Sequence, residues 1–277
     1  MTHSETTDSA NRVCVPFLKW AGGKRWLANR HPGIIPSNYS RYFEPFLGSG
    51  ALFFALRPRD AVLCDLNSEL VETFLAIREN WRAVADRLRH YQRSHSKAFY
   101  YAARRSRPRV AAARAARFIY LNRTCWNGLY RVNLRGEFNV PKGTKERVVL
   151  PTDDFETVHK ILQNVRVVSS DFEPIIDMAG KRDLIFADPP YITAHVNNGF
   201  LKYNERLFSW GDQVRLRDSL VKAACRGAYI VATNADTTAI RNLYEKDFNL
   251  TTVSRASVIA GSSRWRGTKT ELVIRNC

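Results

Sequence analysis

The 277-residue chain is expected to be a mixed α/β protein whose sheet is assembled from two separated stretches of sequence. Three observations lead there. Residues 184–187, "LIFA", are apolar on both faces, as in a parallel strand covered by helices, and run straight into Asp188, Pro189, Pro190 and Tyr191. Residues 42–65 read as strand, glycine turn, helix and a second strand closing on an acid, the first half of a nucleotide-binding α/β unit. Between these stretches, residues 68–150 are helical and basic in character and interrupt the α/β rhythm.

Taken in order, residues 1–12, "MTHSETTDSANR", are polar without the apolar centre of an export signal and are expected to form a disordered tail. From Phe17 the chain runs "FLKWAGGKRWL", a loop with paired glycines between two tryptophans, and a helix follows. Tyr42 to Glu44 form a strand end, Phe46 to Gly50 a glycine-containing turn, and residues 51–56 an apolar helix. After the break "RPRD", the strand "AVLCDLN" ends on Asp65. Residues 68–121 form successive helices, since "ELVETFLAIRENWRAVADRLRHY" carries apolar residues at helical spacing. Beyond residue 150 come a strand "VRVVSSDF" ending at Asp171, the strand at 184–187, and Ser209 as N-cap of a helix over "WGDQVRLRDSLVKAAC". "AYIVATN" is another strand, and "ASVIAGSSRWRGTKTELVIRN" reads as a final antiparallel hairpin with a basic loop. The expected domains are a discontinuous sheet domain, 13–67 with 151–277, and an insert over 68–150.

Forty-three Lys and Arg against 26 Asp and Glu leave a formal charge of +17, which favours a polyanionic partner through counterion release. Residues 97–150 concentrate that charge, with thirteen Lys and Arg opposed only by Glu137 and Glu146. Five scattered cysteines without a C-x-x-C pair argue against a disulfide framework or structural zinc and fit a reducing cytoplasm. No apolar run approaches the ~20 residues of a membrane helix.

Ligands of open α/β sheets sit just beyond the carboxyl ends of the strands, where Asp188 and Tyr191 fall. The plain alternative is a stiff strand exit with a solvated carboxylate, because neither proline can donate to the sheet. The turn "FLGSG" lets the backbone approach a ligand, yet it is shorter than a dinucleotide fingerprint and has no Walker lysine; a tight turn binding nothing is equally open. Asp65 stands where an acid accepts hydrogen bonds from ribose hydroxyls, so turn and acid together suggest an adenosine-containing cofactor. Trp20 and Lys24 read either as ligand contacts or as a core tryptophan beside a surface lysine.

In combination, "FLKWAGGK", "FEPFLGSG", "DLN", "LNRTCWNGLYRVNLRGEFNVPKG" and "DPPY", in this order, resemble the DNA adenine-N6 methyltransferases of the Dam family, the D12 or alpha class. The resemblance runs from about Phe17 to about Ile274. It implies a Rossmann-like methyltransferase sheet, S-adenosylmethionine as cofactor, and a target-recognition insert between the glycine turn and DPPY. It places Trp20, Lys24, Gly48, Gly50 and Asp65 at the cofactor, with Phe46 and Asp188; position and residue type add Asp171 and Phe172. Asp188, Pro189, Pro190 and Tyr191 become the catalytic tetrapeptide.

The same resemblance sets Lys19, Arg123, Trp126, Asn127, Leu129, Arg131, Asn139 and Pro141 near double-stranded DNA. Arginine suits a guanine edge and an apolar side chain a thymine methyl, so Arg131 is expected to read guanine and Leu129 thymine. Trp126 or Asn127 would fill the space left by an extruded adenine, and Arg104, Arg105, Arg107 and Arg109 would touch phosphate or solvent. The first expectation for the site is GATC, although Cys125, Trp126, Lys142 and Lys145 depart from the pattern of relatives and leave the sequence open. A metal is not called for, the expected state is a cytoplasmic monomer associated with the nucleoid through DNA, and a restriction endonuclease sharing the site is a possible partner. Cytosine-N4, RNA or protein-amide methylation and a catalytically silent DNA-binding module remain as alternatives.

Overall fold

The computed structural model describes residues 14–20, 22–133, 135–191, 208–256 and 268–277; the tail expected over 1–12 and the basic loop of the final hairpin lie outside them. Seven strands form one sheet in the order β3-β2-β1-β4-β5-β7-β6: β1 Tyr42–Glu44, β2 Ala61–Asp65, β3 Val165–Ser169, β4 Leu184–Ala187, β5 Tyr229–Ala235, β6 Asn249–Ala256 and β7 Thr268–Arg275. β1 pairs in parallel with β2 and β4, and β4 with β5, while β7 runs antiparallel between β5 and β6. The mixed α/β fold expected from the sequence is therefore present.

Packing divides the chain into two units. The sheet unit comprises Gly33–Leu47, Pro58–Leu66 and Val168–Cys277. Its helices are α7 Phe172–Asp177, α8 Trp210–Cys225 and α9 Thr238–Tyr244. Because alternate residues share a sheet face, Phe43, Ile185, Ala187, Ile230, Ala232 and Ile274 lie together, and they form one buried core with Ile175, Ile176, Leu216, Leu220 and Tyr244 from the helices. Ser209 caps α8 in a capping box with Asp212, at the residue where the sequence places it. At the other end of β1 and β4, Asp183 binds the Arg41 guanidinium, 2.6 Å from Nη2 to Oδ2, and so ties the entrances of two adjacent strands.

Two boundaries differ from expectation. β3 stops at Ser169, since Asp171 accepts the Glu173 amide at 2.9 Å and is the N-cap of α7. The final hairpin begins at Asn249, not at Ala256, because "NLTTV" supplies the β-branched residues of its first strand.

The helical unit comprises Met1–Pro32, Gly48–Arg57 and Asn67–Val167. It holds α1 Arg25–Arg30, α2 Ala51–Leu56, α3 Ser68–Ser94, α4 Lys97–Arg105, α5 Ala111–Thr124 and α6 Phe155–Leu162. α3 kinks at Asn80, where φ −150° leaves the helical region and the side chain re-caps the helix by accepting from Ala83 N at 3.1 Å. Phe17, Phe54, Phe74 and Phe155 pack ring on ring at its centre, with centroids 4.9–6.3 Å from Phe17.

Candidate active site

β1 and β4 are neighbours at the point where the strand order reverses, and the DPPY tetrapeptide follows β4 there. Asp188 is half-buried, Pro189 buried and Pro190 exposed. Thr233, wholly buried on β5, donates its hydroxyl proton to Asp188 Oδ1 at 2.7 Å. Tyr191 donates its phenol to Glu271 Oε2 on β7 at 3.2 Å. Burial, together with the nearby Asp188 and Glu271 carboxylates, holds the Tyr191 phenol well above its ordinary pKa, so the ring stays neutral and a donor at any physiological pH. Neither Thr233 nor Glu271 was singled out by sequence reasoning.

Around the ends of β1, β2 and β3 the sheet unit also gathers most of its expected cofactor residues. Phe46 and Phe172 pack with centroids 5.5 Å apart, and Phe208 closes the cluster on Phe46 at 5.5 Å. Asp65 ends β2 half-buried. Asp171 is held from two sides: it caps α7 and takes a forked pair of hydrogen bonds from Arg215 at 2.7 and 2.9 Å. Arg215 also binds Glu173 and Asp212 and lies over the Phe172 ring, 4.3 Å from its centroid. That guanidinium, foremost, keeps the Asp171 carboxyl below its ordinary pKa. The Cys64 thiol is pushed up to about 12, chiefly by burial, which makes it an inert core group.

In the helical unit, Trp20 stacks near Tyr130 and Phe118, with centroids 5.8 and 6.4 Å away. Gly48 adopts φ +50°, and a Cβ there would stand 2.8 Å from Trp20 Cδ1; the glycine is required both by its conformation and by the indole. Gly50 takes the left-handed conformation as N-cap of α2. The Lys24 side chain is buried, contrary to a plain surface lysine, and its ammonium donates to Gly22 O at 2.7 Å.

Asn122 on α5 ties Lys19 in place from both sides of its peptide groups: it accepts from Lys19 N at 2.8 Å and donates to Lys19 O at 2.7 Å. Burial and the nearby Lys145 and Arg123 charges lower the Lys19 pKa. Sequence reasoning passed over Asn122 because a buried amide carries no local signature.

Beyond α5, the block expected to meet DNA folds into a small hairpin. Val132 and Phe138 bridge its arms, and Asn133 and Gly136 close its tip. Its base is fixed where Trp126 N donates to Pro141 O at 2.9 Å and Tyr100 OH to Val140 O at 2.9 Å. Trp126 is 52% exposed. Asn127, also exposed, sits at φ 55°, a conformation asparagine tolerates better than most residues. Leu129 and Arg131 are half-buried. Arg131 Nε donates to Asn139 Oδ1 at 2.9 Å, the one hydrogen bond of its side chain among the described residues, so one edge of the guanidinium is fixed.

Arg123 departs from the expected DNA-facing set. Its side chain is fully buried, paired with Asp153 at 2.6 and 2.7 Å, and donates further to the Phe17 and Val148 carbonyls. Every donor direction points into the fold, so Arg123 fastens α5 and cannot reach a nucleic acid.

Known proteins resemble this chain over most of its length. Residues 20–259 match the family model for D12 class N6 adenine-specific DNA methyltransferases. A Type II methyltransferase of Lactococcus lactis subsp. cremoris, M1.LlaDCHI, is 36% identical over 94% of this chain and 95% of its own length. A Type II methyltransferase of Methanocaldococcus jannaschii, M.MjaIII, is 32% identical over 79% of this chain and 84% of its own length. A DNA adenine methylase of Haemophilus influenzae is 30% identical over 83% of this chain and 82% of its own length. With a strand-end Asp-Pro-Pro-Tyr at the switch of a seven-stranded sheet and a match over most of its length, the chain belongs to the D12 class of N6 adenine-specific DNA methyltransferases.

Proposed function

We propose that the protein transfers a methyl group from S-adenosylmethionine to N6 of an adenine extruded from duplex DNA, at a site containing GAT, with GATC the first to test. The observation that carries this reading is the Asp188 carboxylate, gripped by Thr233 at the mouth of the sheet and followed by Pro-Pro-Tyr. An exocyclic adenine amine is a poor nucleophile, because its lone pair is delocalised into the ring. Asp188 and the Pro189 carbonyl each accept one amine hydrogen bond, which draws the nitrogen toward tetrahedral geometry and frees the lone pair. A carboxylate suits this task because it accepts without offering a competing donor. The Tyr191 ring offers a stacking face worth about 1–3 kcal/mol for a base, and extrusion follows from the reaction, since the amine is out of reach within the duplex.

When bound, S-adenosylmethionine supplies a methyl already activated on a sulfonium. The residues present fit such a group: Asp65 would accept from the ribose diol, Phe46 and Phe172 would pack against the adenine, and Asp171, steadied by Arg215, would accept from its amine. Lys24 would meet the methionyl carboxylate, and Trp20 would pack beside it, with Gly48 and Gly50 shaping the turn. Pro190 stiffens the tetrapeptide.

Residues 68–150 act in this reading as the target-recognition insert, and 13–67 with 151–277 as the catalytic domain. The half-buried Arg131, pinned at Nε, presents its fork to a guanine edge; Leu129 contacts a thymine methyl, and Trp126 or Asn127 fills the vacated stack. Lys19, Asn139 and Pro141 line the same contact. Two relatives are named as Type II methyltransferases, which supports a restriction endonuclease sharing the site as partner; the protein is taken to act as a cytoplasmic monomer on nucleoid DNA. The test is labelled methyl transfer to unmethylated duplex DNA, followed by nucleoside analysis and methylation-sensitive sequencing. N6-methyladenine at one short motif is the expected product; N4-methylcytosine, or label in RNA or protein alone, overturns the reading.

A further inference from the structure

Two side chains outside the tetrapeptide hold its first and last residues. β5 and β7 pair antiparallel with Thr233 opposite Val273 and Ala235 opposite Glu271. Alternate residues of a strand share a face, so Thr233 and Glu271 are diagonal neighbours on one face of the sheet. The other face of these strands, with Ala232, Leu272 and Ile274, is committed to the apolar core. Thr233 is wholly buried and Glu271 is 3% exposed. Burying a carboxylate in a strand is costly unless it is hydrogen-bonded, and an apolar residue would fill the position at less cost.

We propose that Thr233 and Glu271 are positioning residues for methyl transfer: Thr233 sets the plane of the Asp188 carboxylate by donating to Oδ1, and Glu271 sets the Tyr191 ring by accepting its phenol proton. The inference rests on the reading of Asp188 and Tyr191 as the catalytic pair. The terminal torsion of an aspartate is broad, and only an external contact selects one orientation. Thr233, itself wholly buried, supplies one such contact from β5, so the carboxylate is oriented before the base arrives. Tyr191 remains a neutral phenol, which makes it a steady donor to Glu271. One antiparallel pair of strands, β5 and β7, thereby braces both ends of DPPY, and geometry lost there reaches the reacting atoms directly.

The experiment measures single-turnover and steady-state methylation of unmethylated plasmid DNA by the full chain and by Thr233→Val, Thr233→Ser, Glu271→Ala, Glu271→Gln and Tyr191→Phe, with Asp188→Ala as reference. Thr233→Val and Glu271→Ala should each lower kcat by roughly 10- to 100-fold while KM for DNA and for S-adenosylmethionine stays within about threefold. Thr233→Ser and Glu271→Gln, which keep the donor and an acceptor, should recover most of the rate. Glu271→Ala combined with Tyr191→Phe should cost less than the sum of the two single effects, since both remove the hydrogen bond between the phenol and the Glu271 carboxylate. Thermal denaturation separates misfolding from misplacement, and the near-isosteric Thr233→Val and Tyr191→Phe keep the test decisive even if Glu271→Ala fails to fold. If wild type is active and Asp188→Ala is not, yet Thr233→Val and Tyr191→Phe keep the wild-type kcat, the positioning claim alone is overturned. If Asp188→Ala matches wild type, the reading of the active site falls and takes this inference with it.

Discussion

Arg123 and Arg131 belong to one short basic block of the chain, and the fold uses them in opposite ways. Arg123 lies inside the helical unit with all its donors directed at Asp153 and two backbone carbonyls. Arg131 stands half-buried on the hairpin, its side chain hydrogen-bonded through Nε alone among the described residues. A guanidinium surrounded on every side works as a bolt. One fixed on a single edge is oriented yet still able to form a forked contact with a partner. Residue type and charge density therefore say little about DNA contact until the donors are accounted for one by one.

The contrast is sharpest in stability. Arg123→Met should cost about 3–5 kcal/mol, because it strands the Asp153 carboxylate in the interior, and urea denaturation will read the loss. Arg123→Met with Asp153→Leu should recover most of that loss, since an apolar pair replaces a buried ion pair without leaving a lone charge. Equal destabilisation by the single and double variants would show that the carbonyl contacts, not the ion pair, carry the anchor.

Arg131→Ala should leave stability within about 0.5 kcal/mol and lose about 1–3 kcal/mol of discrimination at one base pair. Methylation rates on duplexes differing at single positions measure it. A uniform fall on every duplex, with a shallower salt dependence, would make Arg131 a phosphate contact instead. Asn139→Ala removes the pin and not the reader, so it should relax the same position by about 1 kcal/mol, less than Arg131→Ala.

The smallest effect concerns the segment that follows the hairpin. His95 donates or accepts through Nδ1 at the Tyr120 hydroxyl, 2.8 Å away, and its Nε2 lies 3.0 Å from Glu146, which also binds Lys142. Burial, foremost, lowers the His95 pKa below its ordinary 6.5, with Lys142 adding and Glu146 opposing. A depressed pKa means that the folded state binds the proton less readily than the unfolded one. The contribution to stability is complete above about pH 6.5 and is lost as the pH falls toward the folded value. Hydrogen-exchange protection around residues 140–148, taken relative to the intrinsic rate at each pH, should fall below pH 6.5, and His95→Gln should flatten that dependence.

Much of the fold was legible because local chemistry and long-range packing agree. "LIFA", followed by Asp188 and two prolines, reads as a short buried strand with an abrupt exit, and Ser209 with Asp212 is a self-contained capping box. Asp171 misled at the boundary, since an acid after a strand serves equally as the cap of the next helix. The braces of the tetrapeptide were not legible. Thr233 and Glu271 meet Asp188 and Tyr191 only through the register of β5 and β7, which no local spacing encodes. Arg123 looked like its neighbours for the same reason: its partner, Asp153, lies in a segment that the DNA-facing block does not contain.

The most direct test of the central claim, that the Asp188 carboxylate orients an adenine amine for attack, is single-turnover methyl transfer by Asp188→Ala beside wild type, with binding of S-adenosylmethionine and DNA measured on the same samples. The account predicts N6-methyladenine from wild type, and from the variant intact binding with transfer slowed on the order of 10³-fold. A variant that methylates within tenfold of wild type would contradict it.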